Sequence, residues 1–201
     1  MITENEKINA RRLFFDKAAL NWNNTLTAEE ELFLRGSLFD VRTPTHIGRQ
    51  LLDVGCGTGI LFPYLTEWEV TAVDISSDML KKARQNNPGN VTAFVQADAE
   101  SLPFKNGQYA CAMLFSVLPH FDRPVAVLQE IHRVLKPRGE IVIIHVKTPE
   151  AVNAIHTSVG GAIAHDRLLQ MSELEEIMTT AGFEIVFTKK DIGLCLIGQK
   201  T

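Results

Sequence analysis

Apolar residues fall along this chain in short blocks that alternate between two periods. Residues 50–54, Val70-Thr-Ala-Val73, Val91 to Val95, Tyr109 to Phe115 and Ile141 to Val146 are nearly continuous runs of Val, Ile, Leu, Ala and Phe. Runs of this length bounded by turn residues predict strands covered on both faces. Between them the apolar positions recur every three or four residues. Met79, Leu80 and Ala83 follow Ser76, a helix-capping residue. Val125, Leu128, Ile131 and Leu135 form the stripe of a helix from Arg123 to Lys136, and a further helix is expected from about Ile60 to Glu67. Asn87-Pro88-Gly89-Asn90, the loop with Pro103, Asn106 and Gly107, and Pro137-Arg138-Gly139 are turns. Strands that alternate with helices predict a parallel sheet with helices on both faces.

The two ends depart from that alternation. Residues 6–22 have a helical pattern, with Ile8, Phe15, Ala18 and Trp22 recurring. Thr27-Ala-Glu-Glu30 is a capping box that opens a second helix, with Leu34, Leu38 and Val41 on one face and Pro44 as its stop. These helices precede the first strand, so Phe14, Phe15 and Trp22 either pack on the sheet or form a lid, and the two are compatible. Residues 147–171 form an insert with a helix start at Thr148-Pro149 and a break at Gly160-Gly161. Ser172-x-x-Glu175 is read as a capping box for a helix ending at Ala181-Gly182. Phe183–Lys189 and Leu194–Gln199 are joined too closely, at Asp191–Gly193, for a crossover, so this last pair is antiparallel. Neither an internal repeat nor a second domain is visible.

Composition narrows the class without naming a function. The chain has 201 residues, 45% of them hydrophobic and 22% charged, which suits one domain with a substantial core. A net charge of −4 gives no general attraction to nucleic acid or to an anionic membrane. Basic residues cluster at Lys81-Lys82-Ala83-Arg84 and around Arg133, Lys136 and Arg138, where solvated helix faces are expected. No apolar run reaches the ~20 residues of a membrane span, and the first residues show no secretory pattern. Cys56, Cys111 and Cys195 are scattered in apolar or turn contexts. They predict reduced thiols in a cytoplasmic protein rather than disulfides or a metal cluster.

The stretch with chemistry in it is Asp53-Val54-Gly55-Cys56-Gly57-Thr58-Gly59. A glycine-rich turn after a buried strand is where parallel α/β proteins hold a ligand, against the helix that follows. A dinucleotide fingerprint needs its third glycine where Ile60 stands, and a phosphate-binding loop needs a Lys-Ser/Thr that is missing. The G-x-G-x-G turn with an acid two residues before it resembles motif I of the class I S-adenosylmethionine-dependent methyltransferases. Three further segments resemble the same family: Asp74 at the end of the second strand, Val95-Gln-Ala-Asp98-Ala-Glu-Ser-Leu-Pro-Phe104, and Leu128-Gln-Glu-Ile-His-Arg-Val-Leu-Lys-Pro-Arg-Gly139. Arg138 replaces the first glycine of the family's closing turn. The resemblance covers roughly residues 48–199 and lies with the small-molecule branch. Asn153-x-x-His156-x-x-x-Gly160-Gly161 with Asp166 is similar to a group of uncharacterised bacterial methyltransferases.

The resemblance implies an α/β, Rossmann-like class I methyltransferase fold. Its sheet is seven-stranded and mostly parallel, with helices on both faces and an antiparallel last strand. It implies a single domain, 1–201, divided into an N-terminal helical cap (1–47), a cofactor-binding half (48–146), and the insert with the last helix and strand pair (147–201). The cofactor is S-adenosylmethionine. Asp53 and the backbone of Gly55, Cys56, Gly57 and Gly59 would hold its methionine part, and Asp74 the ribose hydroxyls. Asp98 and the Ala99 backbone would bind the adenine edge, between Ile75 and Met79 with Leu102 nearby. Phe115 and the residues after it face the methyl in this family. Here they read Phe115-Ser-Val-Leu-Pro119-His120-Phe121, without the Asp/Asn-Pro-Pro-Tyr/Phe of enzymes that methylate DNA bases, so the acceptor is expected to be a small molecule.

His120 is the first candidate base, since an imidazole titrates near neutrality. It is otherwise a loop hydrogen-bonder or a ring stacked on the cofactor. His145, ending the fifth strand, is the second candidate. With His156 and His165 these form either a polar acceptor pocket or a metal site, and the loose spacing favours the pocket, so no metal is expected. His46 and His132 lie away from this edge. The leading expectation is a cytoplasmic enzyme, monomer or homodimer, that methylates a small molecule by in-line displacement without nucleic-acid or membrane partners. A non-catalytic cofactor-binding regulator or accessory subunit is the alternative, and a nucleotide-dependent oxidoreductase is disfavoured by Ile60.

Overall fold

The computed structural model of the protein describes residues 4–22, 25–39 and 47–201. Val41, Pro44 and His46 lie outside the described residues. The strands are β1 (Gln50–Val54), β2 (Glu69–Asp74), β3 (Val91–Gln96), β4 (Tyr109–Phe115), β5 (Leu135–His145), β6 (Phe183–Lys190) and β7 (Leu194–Lys200). They form one seven-stranded sheet in the order β3-β2-β1-β4-β5-β7-β6. β7 pairs antiparallel with both β5 and β6, and the remaining pairs are parallel. The helices are α1 (Glu4–Ala19), α2 (Ala28–Phe39), α3 (Ser77–Gln85), α4 (Pro124–Val134), α5 (Pro149–Val159) and α6 (Met171–Thr180). The expected fold class is therefore the observed one.

The central strands are apolar throughout because both faces are covered. Successive side chains point to opposite faces of a strand. Leu52, Val54, Ala112, Leu114, Ile141 and Ile143 join Leu128 and Ile131 of α4 and Leu174 and Met178 of α6 in one core. Leu51, Cys111, Met113, Val142 and Ile144 join Phe33 and Leu34 of α2 and Leu80 and Ala83 of α3 in the other. A one-residue slip of any central strand would exchange two complete core faces.

Local signals for the helix starts hold where a side chain can reach the first turn. Ser76 accepts the Met79 N–H at 3.1 Å, and Thr148 accepts the Ala151 N–H at 3.3 Å. In the box before α2, Glu30 accepts the Thr27 N–H at 2.9 Å and Thr27 accepts the Glu30 N–H at 3.2 Å. The box expected at Ser172 is displaced. The Gln170 N–H donates to Glu173 at 2.7 Å, and Ser172 lies inside α6.

Three expectations need correcting. The helix from Ile60 to Glu67 reduces to a single 3-10 turn, Phe62–Tyr64. Pro63 offers no N–H to a longer ladder, and the chain must return to β2 at Glu69. The turn 137–139 is absorbed into β5 as an irregularity. Leu135 pairs with Tyr109 and Glu140 with Cys111, and Arg138 sits between them at φ +64°. Arg133 and Lys136 are not simply solvated. Arg133 donates to Glu130, to the carbonyls of Leu102 and Phe104, and to Asn106, while Lys136 donates to the Ile47 carbonyl and to Gln50.

Candidate active site

The carboxyl ends of β1, β2 and β4 open into a cleft of about 1100 Å³, open solvent at its mouth included. Its floor is the glycine turn. Gly55 sits at φ +70°, and a Cβ there would stand 2.2 Å from a Val117 methyl. Gly57, at φ +54°, has nothing within 4 Å of the position a Cβ would take, so its backbone faces open space. The turn is pinned to β2 by the Gly55 and Cys56 N–H groups, which donate to the Val73 carbonyl at 2.8 and 2.9 Å.

Two buried carboxylates face this floor. Asp53 is 1% exposed, and neither of its oxygens has a hydrogen-bond partner. Burial, and then the neighbouring charge of Asp74, push its pKa up to about 7. A buried acceptor pair left without donors is costly and needs an explanation. Asp74 differs: one oxygen accepts the Gly57 N–H at 2.9 Å and the other the Ser76 N–H at 2.8 Å. Burial raises its pKa while those two bonds oppose the rise. Burial also raises the Cys56 thiol well above its ordinary value, with the charges of Asp53 and Asp74 adding to the effect.

The walls contain most of the expected contacts. Ile75, Met79, Asp98, Ala99 and Phe115 line the cleft. Leu102 does not; it is 4% exposed within the core below. Asp98 bends the loop behind it by accepting the Glu100 N–H at 2.9 Å. That loop is clamped from α4, where Glu130 accepts the Leu102 N–H at 3.0 Å and Arg133 holds the Leu102 and Phe104 carbonyls. The E-x-x-R spacing puts both ends of this clamp on one helix face.

The roof comes from α1 and the residues just after it. Ile8, Arg11, Phe15 and Trp22 line the cleft. Arg11 lies 3.0 Å from Asp122 and 2.7 Å from Asp166. At the other end of the helix the Ser76 hydroxyl donates to Asp16 at 2.6 Å. Arg11 and Asp16 carried no ligand-site pattern in the sequence, and Asp166 stood out there only with the insert pattern around His156, without a role. A lone arginine on a helix and carboxylates in distant segments have no spacing that reports their meeting. Ser116, held at φ +53°, and Val117 line the cleft beside Phe115, within the segment expected there.

The histidines separate. His120 borders the cleft, its Nδ1 2.6 Å from Asp166 Oδ2 and its ring 5.0 Å from that of Phe15. Burial lowers its pKa, and the bond to Asp166 offsets part of the shift. His156 stacks 4.9 Å from His120, with Nδ1 2.8 Å from the Asp166 carbonyl. His145 is a correction: it is 1% exposed, does not line the cleft, and burial holds its pKa at about 3. His165 is a second correction. Its side chain is exposed and borders a separate cavity with Arg167 and Leu169. Among the described residues no group of three or more His, Cys, Asp or Glu is arranged to hold a metal ion. No helix among them is long and apolar enough to cross a membrane.

Known proteins resemble this chain in sequence and in fold. Residues 52–143 match the family described as a methyltransferase domain. A demethylmenaquinone methyltransferase from Chlamydia pneumoniae is 29% identical over 170 residues, covering 71% of this chain and 74% of that protein. The uncharacterized methyltransferase YodH of Bacillus subtilis is 43% identical over 96 residues, covering 46% of this chain and 41% of its own length. The chain thus spans about half the length of several curated relatives it matches. The magnesium protoporphyrin IX methyltransferase of Synechocystis PCC 6803, solved with bound S-adenosylmethionine, superposes with a TM-score of 0.68 at 17% identity, covering 97% of both chains.

Proposed function

We propose that this chain, which belongs to the class I S-adenosylmethionine-dependent methyltransferases, transfers a methyl group from that cofactor to a small apolar acceptor. One observation carries the reading: a buried, unpartnered Asp53 carboxylate and a backbone-fixed Asp74 carboxylate share one cleft. The cofactor's ammonium and sulfonium are cationic, which supplies the charge Asp53 lacks, and its ribose carries two hydroxyls that Asp74 can accept. The open face of Gly57 leaves room for the chain between them.

In this reading Asp53 and the Gly55–Gly59 backbone hold the amino-acid end. Asp98 and Ala99 take the adenine edge, between Ile75 and Met79. The bound cofactor supplies a methyl already activated on sulfur, ready for in-line displacement. The protein supplies placement, which in well-oriented reactions is worth up to ~7–11 kcal/mol. Phe15 and Trp22 exclude water from above, and His120 is the base that receives the acceptor's proton. The Chlamydia relative acts, by its name, on a demethylmenaquinone, and a roof of Ile8, Phe15, Trp22 and Phe121 suits a flat apolar ring. The net charge of −4 favours a small-molecule acceptor over nucleic acid, and we take the enzyme to be cytoplasmic.

The test is methyl transfer from labelled S-adenosylmethionine to a panel of hydroxyarenes and reduced quinones. Label should appear in at least one acceptor and be lost in His120→Ala, with kcat reduced by ~10²–10⁴. Cofactor binding without transfer to any acceptor class would leave a regulator in place of an enzyme.

A further inference from the structure

The insert delivers one carboxylate to the back of His120. Asp166 Oδ2 is 2.6 Å from His120 Nδ1, and Arg11 Nη2 donates to Asp166 Oδ1 at 2.7 Å. The side chains of His120 and Asp166 are 12% and 6% exposed. Burial alone would raise the Asp166 carboxyl, but the bond to His120 and the charge of Arg11 hold it below the ordinary carboxylate range. An ionised carboxylate has no proton to give, so the hydrogen in the short contact belongs to Nδ1. On a neutral ring the lone pair is then on Nε2, the ring nitrogen that Asp166 does not engage, and His120 borders the cleft.

We infer that Asp166 is a positioning residue that locks His120 in the Nδ1–H tautomer, leaving Nε2 to deprotonate a phenol-type acceptor. The inference rests on the methyltransferase reading above and adds to it the orienting group and the acceptor class. A phenolic hydroxyl has an ordinary pKa of about 10, so near neutral pH it needs a base to become the nucleophile. A thioether or tertiary amine needs none and would leave the His–Asp pair idle. The O–H proton passes to Nε2, and the phenolate oxygen or its ortho carbon forms the new bond to the methyl carbon. The sulfur–methyl bond breaks with its electron pair going to sulfur. If carbon is methylated, loss of the ring proton at that carbon restores aromaticity. The imidazolium, paired with Asp166, later releases its proton to solvent. An orienting carboxylate of this kind acts by fixing the tautomer and stabilising the imidazolium, without itself taking the proton. The neighbouring rings do not compete for it: His145 stays neutral far below neutral pH, and His156 turns its Nδ1 to the Asp166 carbonyl.

The experiment reads the ring nitrogens of His120 by 15N NMR in the protein without acceptor, assigned by the signals lost in His120→Ala. Near neutral pH the wild type should show a protonated Nδ1 and a bare Nε2. Asp166→Asn should shift population towards Nε2–H and cut kcat by ~10²–10⁴, with S-adenosylhomocysteine affinity preserved. Asp166→Glu should recover part of the rate and of the tautomer. A wild-type ring protonated on Nε2 would overturn the inference without any variant having to fold, as would full kcat in Asp166→Asn. Calorimetry on the same samples separates the two claims. If the wild type fails to bind S-adenosylhomocysteine, the methyltransferase reading falls; if it binds but has the wrong tautomer, only the role of Asp166 falls.

Discussion

At the residue scale the two acids of the cleft have different work, set by what surrounds each carboxylate. Asp74 is already fixed by the Gly57 and Ser76 N–H groups. In the proposed reading Asp74→Ala removes the ribose acceptor, and it also frees the glycine turn from its bond to Gly57. Unpaired polar groups cost about 1–3 kcal/mol, so cofactor affinity should fall about 5- to 150-fold by calorimetry; wild-type affinity would remove the ribose assignment. Burial, with the charge of Asp74 beside it, pushes the Asp53 pKa up to about 7. A cation binds its ionised form, so affinity should rise with pH up to about 7 and then level off, with a proton released on binding below that point. Asp53→Asn should flatten this profile, and an unchanged slope in that variant would show another group to be responsible. Both acids were legible in the sequence because Asp74 ends β2 and Asp53 stands one residue before the end of β1, two before the glycine turn. His145 ends a strand too, but its burial behind the cleft depends on how β5 and the insert pack, which no local pattern encodes.

At the element scale, α1 is fastened at two points, Arg11 to Asp122 and Asp166, and Asp16 to Ser76. We propose that α1 is a lid and that these fastenings loosen when ligand exchanges. Arg11→Met removes one fastening worth roughly 1–3 kcal/mol, so amide exchange in α1 should quicken by about 5- to 150-fold without ligand and slow again when S-adenosylhomocysteine is added. Exchange that is equally slow in both proteins, with or without ligand, would make α1 fixed packing. The α4 clamp makes a second demand. Arg133→Ala leaves the Leu102 and Phe104 carbonyls without their donor, which should destabilise the fold by about 1–3 kcal/mol in denaturant titration and weaken cofactor binding through the Asp98 loop. A loss of stability near zero would return Arg133 to a solvated surface role. The helix expected over 60–67 failed for a reason present in the sequence, Pro63 and the short return to β2, which the apolar pattern masked.

At the scale of the whole molecule, the alternation of apolar runs determined the sheet, since strands buried on both faces and amphipathic helices leave few other arrangements. The antiparallel end was legible from the short Asp191–Gly193 connection between β6 and β7. The meeting of three distant segments was not legible. Arg11 in α1, His120 after β4 and Asp166 in the insert come together only once the sheet has placed their elements at one edge. Everything proposed for that edge depends on S-adenosylmethionine occupying the cleft beneath it. The direct measurement is titration calorimetry of the wild-type protein with S-adenosylhomocysteine, with NADH as competitor. One saturable site per chain, abolished or strongly weakened in Asp74→Ala and indifferent to NADH, is the predicted result. No binding of S-adenosylhomocysteine, or its displacement by NADH, would contradict it.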